Sequence, residues 1–336
     1  MENISNLTDG GDYFDDGLVF LCEYFDISTV EAAFFVLIFI ISVIGNSLLI
    51  CVLVLYEKLK NVTNLFVFNL ACSDLIFTAT LPFWAVYYLQ HWIFGDFMCK
   101  FMAAAYFVGL YSSVILLTAM TVDRFVTVVL HNWPINNLKR QRCATGACVG
   151  AWIISVAASL SDAMKMQVYE EDMYYYCEPP GIVELGDYFL LPLLFFLPFA
   201  IVIFSYCAII RTVLRASNRK RHRAVAMVLF IVAAFFICWG PYNTLLFIKL
   251  FHESEVCETE ERLVMVFKIC RIFAFSHCCM NPLLYMLSQK LRKHLLQLLY
   301  CKTVWRSNER STVQTNTVIQ NVVFTAHNSA VMLDDK

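Results

Sequence analysis

Charge is what this sequence has least of. Of its 336 residues only 15% are Asp, Glu, Lys or Arg, and 60% are apolar, whereas a soluble domain carries about 25% charged residues. Too little polar surface is present to coat the chain in water. That excludes a soluble enzyme, a nucleic-acid binder and a disordered protein. The sequence also lacks an internal repeat, which argues against a transporter built from two related halves. It lacks the alternating segments of about ten residues that mark a membrane barrel. No nucleophile-and-base constellation and no catalytic metal signature is visible, so no enzyme is expected. No basic n-region precedes an apolar core near the N-terminus, so the first helix is expected to insert as its own signal anchor.

What is present is a set of long apolar runs. A helix needs about 20 mainly apolar residues to cross the hydrocarbon core, and seven stretches meet that test: Val30–Tyr56, Thr63–Gln90, Asp96–Leu130, Arg142–Ala163, Glu184–Ala216, Arg223–Phe251 and Leu263–Ser288. The expected fold is an all-α membrane protein, a seven-helix bundle over 30–288 preceded by an acidic tail, 1–29. After it, Gln289–Leu299 sets Leu291, Leu295, Leu298 and Leu299 on one face, as in a helix lying on the lipid surface. This membrane-surface segment is taken as 289–301, ending at Cys301, a palmitoylation candidate, with a polar tail over 302–336.

Basic residues set the orientation. With the N-terminus outside, 6 of 25 basic and 21 of 27 acidic residues fall on the outer side or at outer helix ends, a net of −15 against +13 for the remainder. The reading is therefore N-terminus out and C-terminus in. Asn3 and Asn6 then stand in outer sequons as glycosylation candidates, while the sequon at Asn61 falls in an inner loop. Of the 14 cysteines, Cys22, Cys99, Cys177 and Cys257 lie on the outer side, where disulfides persist. Four cysteines allow about three pairings. Cys99 with Cys177 would tie the loop between helices 4 and 5 to the bundle, and Cys22 with Cys257 the tail to helix 7; free thiols are the alternative.

Polar residues inside the spans are costly and usually functional. Asp74 is the clearest, and Asn46, Ser113, His277 and Asn281 are expected to surround it if the helices pack together. A buried carboxylate with neutral oxygen donors suggests a sodium site, with a hydrogen-bonded structural aspartate as the alternative. Asp123-Arg124 at the inner end of helix 3 is expected to form a local pair that a conformational change releases. Pro82, Pro198, Pro241 and Pro282 interrupt helices 2, 5, 6 and 7.

These residues together resemble a rhodopsin-like (class A) G-protein-coupled receptor over all seven helices. The matching motifs are Gly45-Asn46, Leu70-Ala71-Cys72-Ser73-Asp74, Asp123-Arg124-Phe125, Trp152, Pro198 with Tyr206, Cys238-Trp239-Gly240-Pro241 and Asn281-Pro282-Leu283-Leu284-Tyr285. Thr80-Leu81-Pro82, Trp92 with Phe94-Gly95-Asp96-Phe97-Met98-Cys99, and Ser276-His277-Cys278-Cys279-Met280 resemble the chemokine receptor family. The basic run Arg219–Arg223 and Arg271 are most similar to its XC (lymphotactin) type.

The resemblance implies a receptor in the plasma membrane that binds a basic chemokine outside and activates a Gi-type G protein inside, driving chemotaxis and calcium signalling. The alternative is a scavenging receptor of the same fold without G-protein coupling. Tyr13 and Tyr24, set among acids, are sulfation candidates that would hold the ligand's body. Trp84, Tyr106, Asp162, Tyr242, Lys268 and Arg271 are the choices for a deeper pocket, with Arg271 receiving a carboxylate or carbonyl. Asp123, Arg124, Tyr206, Trp239, Pro241, Asn281, Pro282 and Tyr285 are implied in switching and coupling. Receptor kinases and arrestin would act on Ser307, Ser311, Thr312, Thr315 and Thr317. No cofactor is implied beyond the allosteric sodium ion, and membrane lipid is the remaining partner. Three departures stand out: Phe125 follows Asp-Arg in place of tyrosine, Arg271 replaces a common glutamate, and Cys278 replaces a serine near the sodium site.

Overall fold

A computed structural model describes residues 27–57, 59–130, 136–171, 173–179, 185–215, 219–249 and 257–286; the side chains of 185–194, 213–215, 219–228, 231, 249, 257–261 and 284–286 lie outside that description. In chain order the elements are α1 (Ser28–Tyr56), α2 (Val62–Leu89), α3 (Gly95–Val128), α4 (Asn137–Lys165), β1 (Gln167–Glu171), β2 (Tyr174–Glu178), α5 (Leu185–Arg215), α6 (Arg219–Lys249), α7 (Cys257–Phe275) and α8 (His277–Met286). Six described stretches have the length and apolarity to cross a membrane, and Val232–Ile248 in α6 is a shorter seventh. The seventh crossing, expected as one helix, is two rods joined at Ser276, whose N–H is shared between the Ile272 and Phe273 carbonyls. The hairpin β1–β2, antiparallel with Val168 opposite Cys177, was not expected from sequence. The amphipathic segment 289–301 falls outside the described residues.

The packing follows from lipid being as apolar as leucine: large residues face outward, and small or polar ones hold the helices together. On α4 the buried positions are Ala144, Cys148, Ala151, Ser155, Ser159 and Ala163, a one-face stripe against α3, while Val149, Ile153, Ile154, Val156 and Leu160 point away from the bundle. α3 runs through the middle, touching α2, α4, α5 and α6. It approaches α2 so closely at Gly109 that a Cβ there would stand 2.7 Å from the Phe77 Cβ. The Ser73 hydroxyl donates to the Gly109 carbonyl at 2.9 Å across the same contact.

Asn61 caps α2, accepting from the Thr63 N–H at 3.0 Å, so its sequon has a structural use. Gly45 and Asn46 explain how α1 meets the end of the chain. Pro282 has no N–H, which leaves the Cys278 carbonyl without its helical donor. The Asn46 amide donates to that carbonyl at 2.9 Å, and the Ser42 hydroxyl lies 3.4 Å from it. At Gly45 a Cβ would come within 2.8 Å of the Pro282 ring. Glycine brings α1 close enough for asparagine to satisfy what proline leaves open.

Candidate functional site

At the hairpin end of the bundle lies a cavity of about 250 Å3. The hairpin is fixed over it by the Cys99–Cys177 disulfide, Cα to Cα 5.7 Å, which joins β2 to the first turns of α3. Trp92 packs beside that bond, fully buried, its backbone N–H donating to the Tyr175 carbonyl at 2.8 Å and its indole N–H to the Gly95 carbonyl at 2.9 Å. Gly95 sits at φ +77°, a conformation that favours glycine. The partner pairing, Cys22 with Cys257, involves a residue outside the described ones.

Trp84, Tyr106, Tyr242 and Arg271 all line this cavity. The aromatic faces are fixed by their neighbours: Trp84 packs on Trp92 at 5.6 Å, Tyr106 on Phe77 at 5.2 Å, and Tyr242 on Phe267 at 4.8 Å. The buried Trp84 indole nitrogen has no hydrogen-bond partner among the described residues. Asp162 and Lys268 are not among the lining residues. The Tyr111 hydroxyl donates to Asp162 at 2.6 Å, and Lys268 lies 3.4 Å from the Ser28 hydroxyl. Tyr13, Tyr24, Asn3 and Asn6 lie outside the described residues.

Arg271 corrects the expectation of a waiting anion receptor. Its Nε and Nη2 donate to the two oxygens of Glu31 at 2.6 and 2.8 Å, and its Nη1 to the Tyr88 hydroxyl at 2.7 Å. Its guanidinium carbon also stands 4.1 Å over the Tyr88 ring. Glu31 is fully buried, so this is a two-point fork between α1 and α7 that already has its counter-ion. Glu31 and Tyr88 escaped the sequence reading, although an acid inside a predicted span and an arginine in another are a signal that they pair. Tyr87 and Glu178, which also line the cavity, were missed because the hairpin was not foreseen.

Deeper in the bundle the polar centre assembles as expected for three of four residues. Asp74 is fully buried; the Asn281 amide donates to its Oδ2 at 2.6 Å, and the Ser113 hydroxyl lies 3.4 Å from its Oδ1. His277 Nε2 stands 4.0 Å from the same Oδ1. Asn46 instead bonds Ser42 and the Cys278 carbonyl, and its Oδ1 is buried with no partner among the described residues. Trp239, nearly inaccessible, packs edge-on against His277 at 5.4 Å. Below Pro241 the helix ladder is interrupted, with the Asn243 amide donating back to the Trp239 carbonyl at 2.9 Å.

At the opposite end the local Asp123–Arg124 pair is not formed. Arg140, in the first turn of α4, holds Asp123 through Nε and Nη2, both at 2.7 Å. Arg124 donates to the Thr63 hydroxyl at the start of α2. A long side chain from a facing helix reaches both carboxylate oxygens in line, which a neighbour one residue away on the same helix does not. Tyr206 is buried, and its hydroxyl has no partner among the described residues. Tyr285 lies in α8, with its side chain outside the description.

The family described as 7 transmembrane receptor (rhodopsin family) matches residues 45–285. Chemokine XC receptor 1 of Homo sapiens is 37% identical over 275 residues, 78% of this chain and 79% of that protein. Its Mus musculus counterpart is 37% identical over 308 residues, 89% and 92% of the two chains. C-C chemokine receptor type 8 of Homo sapiens is 33% identical over 277 residues, 80% and 78%. A bundle of apolar crossings, a disulfide-tied hairpin over an aromatic cavity and likeness along most of its length identify this chain as a multi-pass plasma-membrane protein of the rhodopsin family, belonging to the chemokine receptors, a family of receptors rather than enzymes.

Proposed function

We propose that the chain binds a basic chemokine of the XC type on the outer side of the plasma membrane and activates a Gi-type heterotrimeric G protein inside. Chemotaxis and calcium signalling would follow. The observation that carries this is the cavity under the hairpin, with Trp84, Tyr106 and Tyr242 on its wall, in a chain 37% identical to proteins named Chemokine XC receptor 1. The charge distribution supports the N-out orientation. An outer surplus of acids attracts a basic protein and speeds encounter in a salt-sensitive manner. A tail that holds the ligand's body raises the effective concentration of its N-terminus at the cavity.

Ligand contact that favours one arrangement of the helices shifts an existing equilibrium. Pro241, beside Trp239, weakens the α6 ladder just below the cavity and offers the hinge. At the inner end Arg124, which donates to Thr63, and Tyr206, whose hydroxyl has no hydrogen-bond partner among the described residues, are polar groups for a G-protein segment to meet. The polar centre fits a sodium ion: Asp74, the Ser113 hydroxyl beside it and the Asn281 amide oxygen supply hard oxygen donors. When bound, the ion supplies a positive charge that offsets the buried Asp74 carboxylate. A second reading, a scavenger that takes up chemokine without coupling, is favoured by Phe125, which packs on Phe204 of α5 at 6.0 Å where the family pattern has tyrosine.

The test is expression with a panel of chemokines, measuring binding and nucleotide exchange together. Activation by the XC-type chemokine supports the main reading. Tight uptake without exchange selects the scavenger, and a well-expressed receptor that binds no chemokine sinks both.

A further inference from the structure

A second cavity, of about 630 Å3, lies between α3 and α4, with Pro198 of α5 also on its wall. Its α3 side is one stripe at helical spacing, from Ile115 through Ala119, Val122 and Val126 to Leu130, just past the helix end. At 1.5 Å per residue that stripe is about 22 Å long. A single leaflet has the same depth, about 15 Å of hydrocarbon and about 5–7 Å of headgroups. Val122 and Leu130 are 42% and 39% exposed, so the groove opens sideways on the outside of the bundle.

Polarity changes along the groove. The end at Ile115 is apolar, and the Thr118 hydroxyl already donates to the Val114 carbonyl at 2.8 Å. The other end holds Asp123 with Asn137 and Arg140 from the start of α4. Arg140 gives Asp123 its Nε and Nη2 donors, and its Nη1 has no partner among the described residues. Lys139 and Arg142 flank it, both exposed, and neither meets an acid among the described residues. The neighbouring segments 131–135 and 213–228 contain no acid, and 287–336 contains three acids against seven Lys and Arg. The N-terminus of α4 also favours an anion. A sideways-open apolar slot, one leaflet deep and ending in three cations against Asp123, has the shape and charge complementary to an anionic phospholipid.

We infer that this groove holds an anionic phospholipid of the leaflet at this end, the inner one under the N-out reading. One acyl chain lies along α3 from Leu130 to Ile115, and the phosphate sits on Arg140 with Lys139 and Arg142 beside it. The phosphate then shares Arg140 with Asp123, so the composition of the leaflet acts on the fork between α3 and α4. The inference goes beyond the chemokine reading and needs neither chemokine nor G protein.

The test uses the full-length receptor in detergent micelles, titrated with dioleoylphosphatidic acid, with dioleoylphosphatidylcholine and with glycerol 3-phosphate, a headgroup without chains. Native mass spectrometry reads the bound lipid. The alkylation rate of Cys143, an exposed thiol on the groove wall, reads where it sits, with Cys51, exposed on α1, as the control. Phosphatidic acid is expected to bind about tenfold or more tightly than phosphatidylcholine and to slow alkylation of Cys143 but not of Cys51. Lys139→Gln and Arg142→Gln are each expected to weaken it about fivefold. Val122→Trp fills the groove without removing a charge and is expected to abolish the protection of Cys143. Protection by glycerol 3-phosphate alone would assign a free-phosphate site and overturn the lipid. So would equal affinity for the two lipids, or selectivity that survives Lys139→Gln, Arg140→Gln and Arg142→Gln together. Protection of Cys143 that persists in a folded Val122→Trp receptor would place the lipid elsewhere and overturn the groove.

Discussion

The fork between Glu31 and Arg271 is the sharpest place to test this structure. Glu31 has no exposed side-chain surface and Arg271 has 14%, and both fork distances fall below 3 Å. With charge centres about 4 Å apart and an effective dielectric of about 20, the attraction is about 4 kcal/mol. Each charge alone would be held out of water with nothing to offset it, so removing one partner costs about 3–5 kcal/mol. Glu31→Gln is therefore expected to lower the apparent melting temperature of the purified receptor by about 6 °C or more, at about 2 °C per kcal/mol for a chain of this size. Arg271→Gln is expected to do the same. The double variant, with two neutral amides, should recover much of the loss. The assay is a double-mutant cycle by thermal unfolding in nanodiscs, repeated at low and high salt, because a desolvated pair is screened little. Single effects that simply add, leaving a coupling below about 0.5 kcal/mol, would refute the reasoning, as would a loss that salt alone reproduces.

Other outcomes follow from the same geometry. Gly45→Ala drives a Cβ into the Pro282 ring and is expected to reduce surface expression more than Gly146→Ala, where a Cβ meets open space; flow cytometry reads both. Asn46→Leu strips the amide donor from the Cys278 carbonyl and is expected to cost about 1–3 kcal/mol of thermal stability. Cys99→Ala removes a bridge spanning 78 residues; about 4 kcal/mol of stability and chemokine binding should fall together. Arg140→Ala removes the fork that holds Asp123; ligand-driven nucleotide exchange is expected to drop with chemokine affinity little changed, and unchanged exchange would count against the pair's role.

The helices were legible because a membrane crossing writes itself as one long apolar run, and the cavity aromatics because family motifs bracket them. Less visible was anything set by helices approaching one another from afar in sequence. Asp123 pairs with Arg140 across 17 residues rather than with its neighbour, since a fork needs a facing helix. Arg271 meets Glu31 across 240 residues, and only the cost of two isolated charges in apolar spans hints at it. The hairpin was hidden for a different reason. Its strands, Gln167–Glu171 and Tyr174–Glu178, alternate poorly, with one buried residue between them, Cys177, so no period-two pattern announces them. The break at Ser276 also went unread, because the polar Ser276 and His277 that mark it were read as side chains of one continuous span.

The Glu31–Arg271 fork has a consequence for how the chain is made. Ribosomes add about 5–20 residues per second, so the 240 residues between the partners separate their synthesis by about 12–48 s. Throughout that interval the first helix waits at the translocon with an acid that has no cation to meet. Its position in the first turn of α1 is what makes the wait bearable, since the headgroup layer can hydrate a carboxylate there and not at mid-span. The bond that joins the first crossing to the last can thus close only when the final helix arrives.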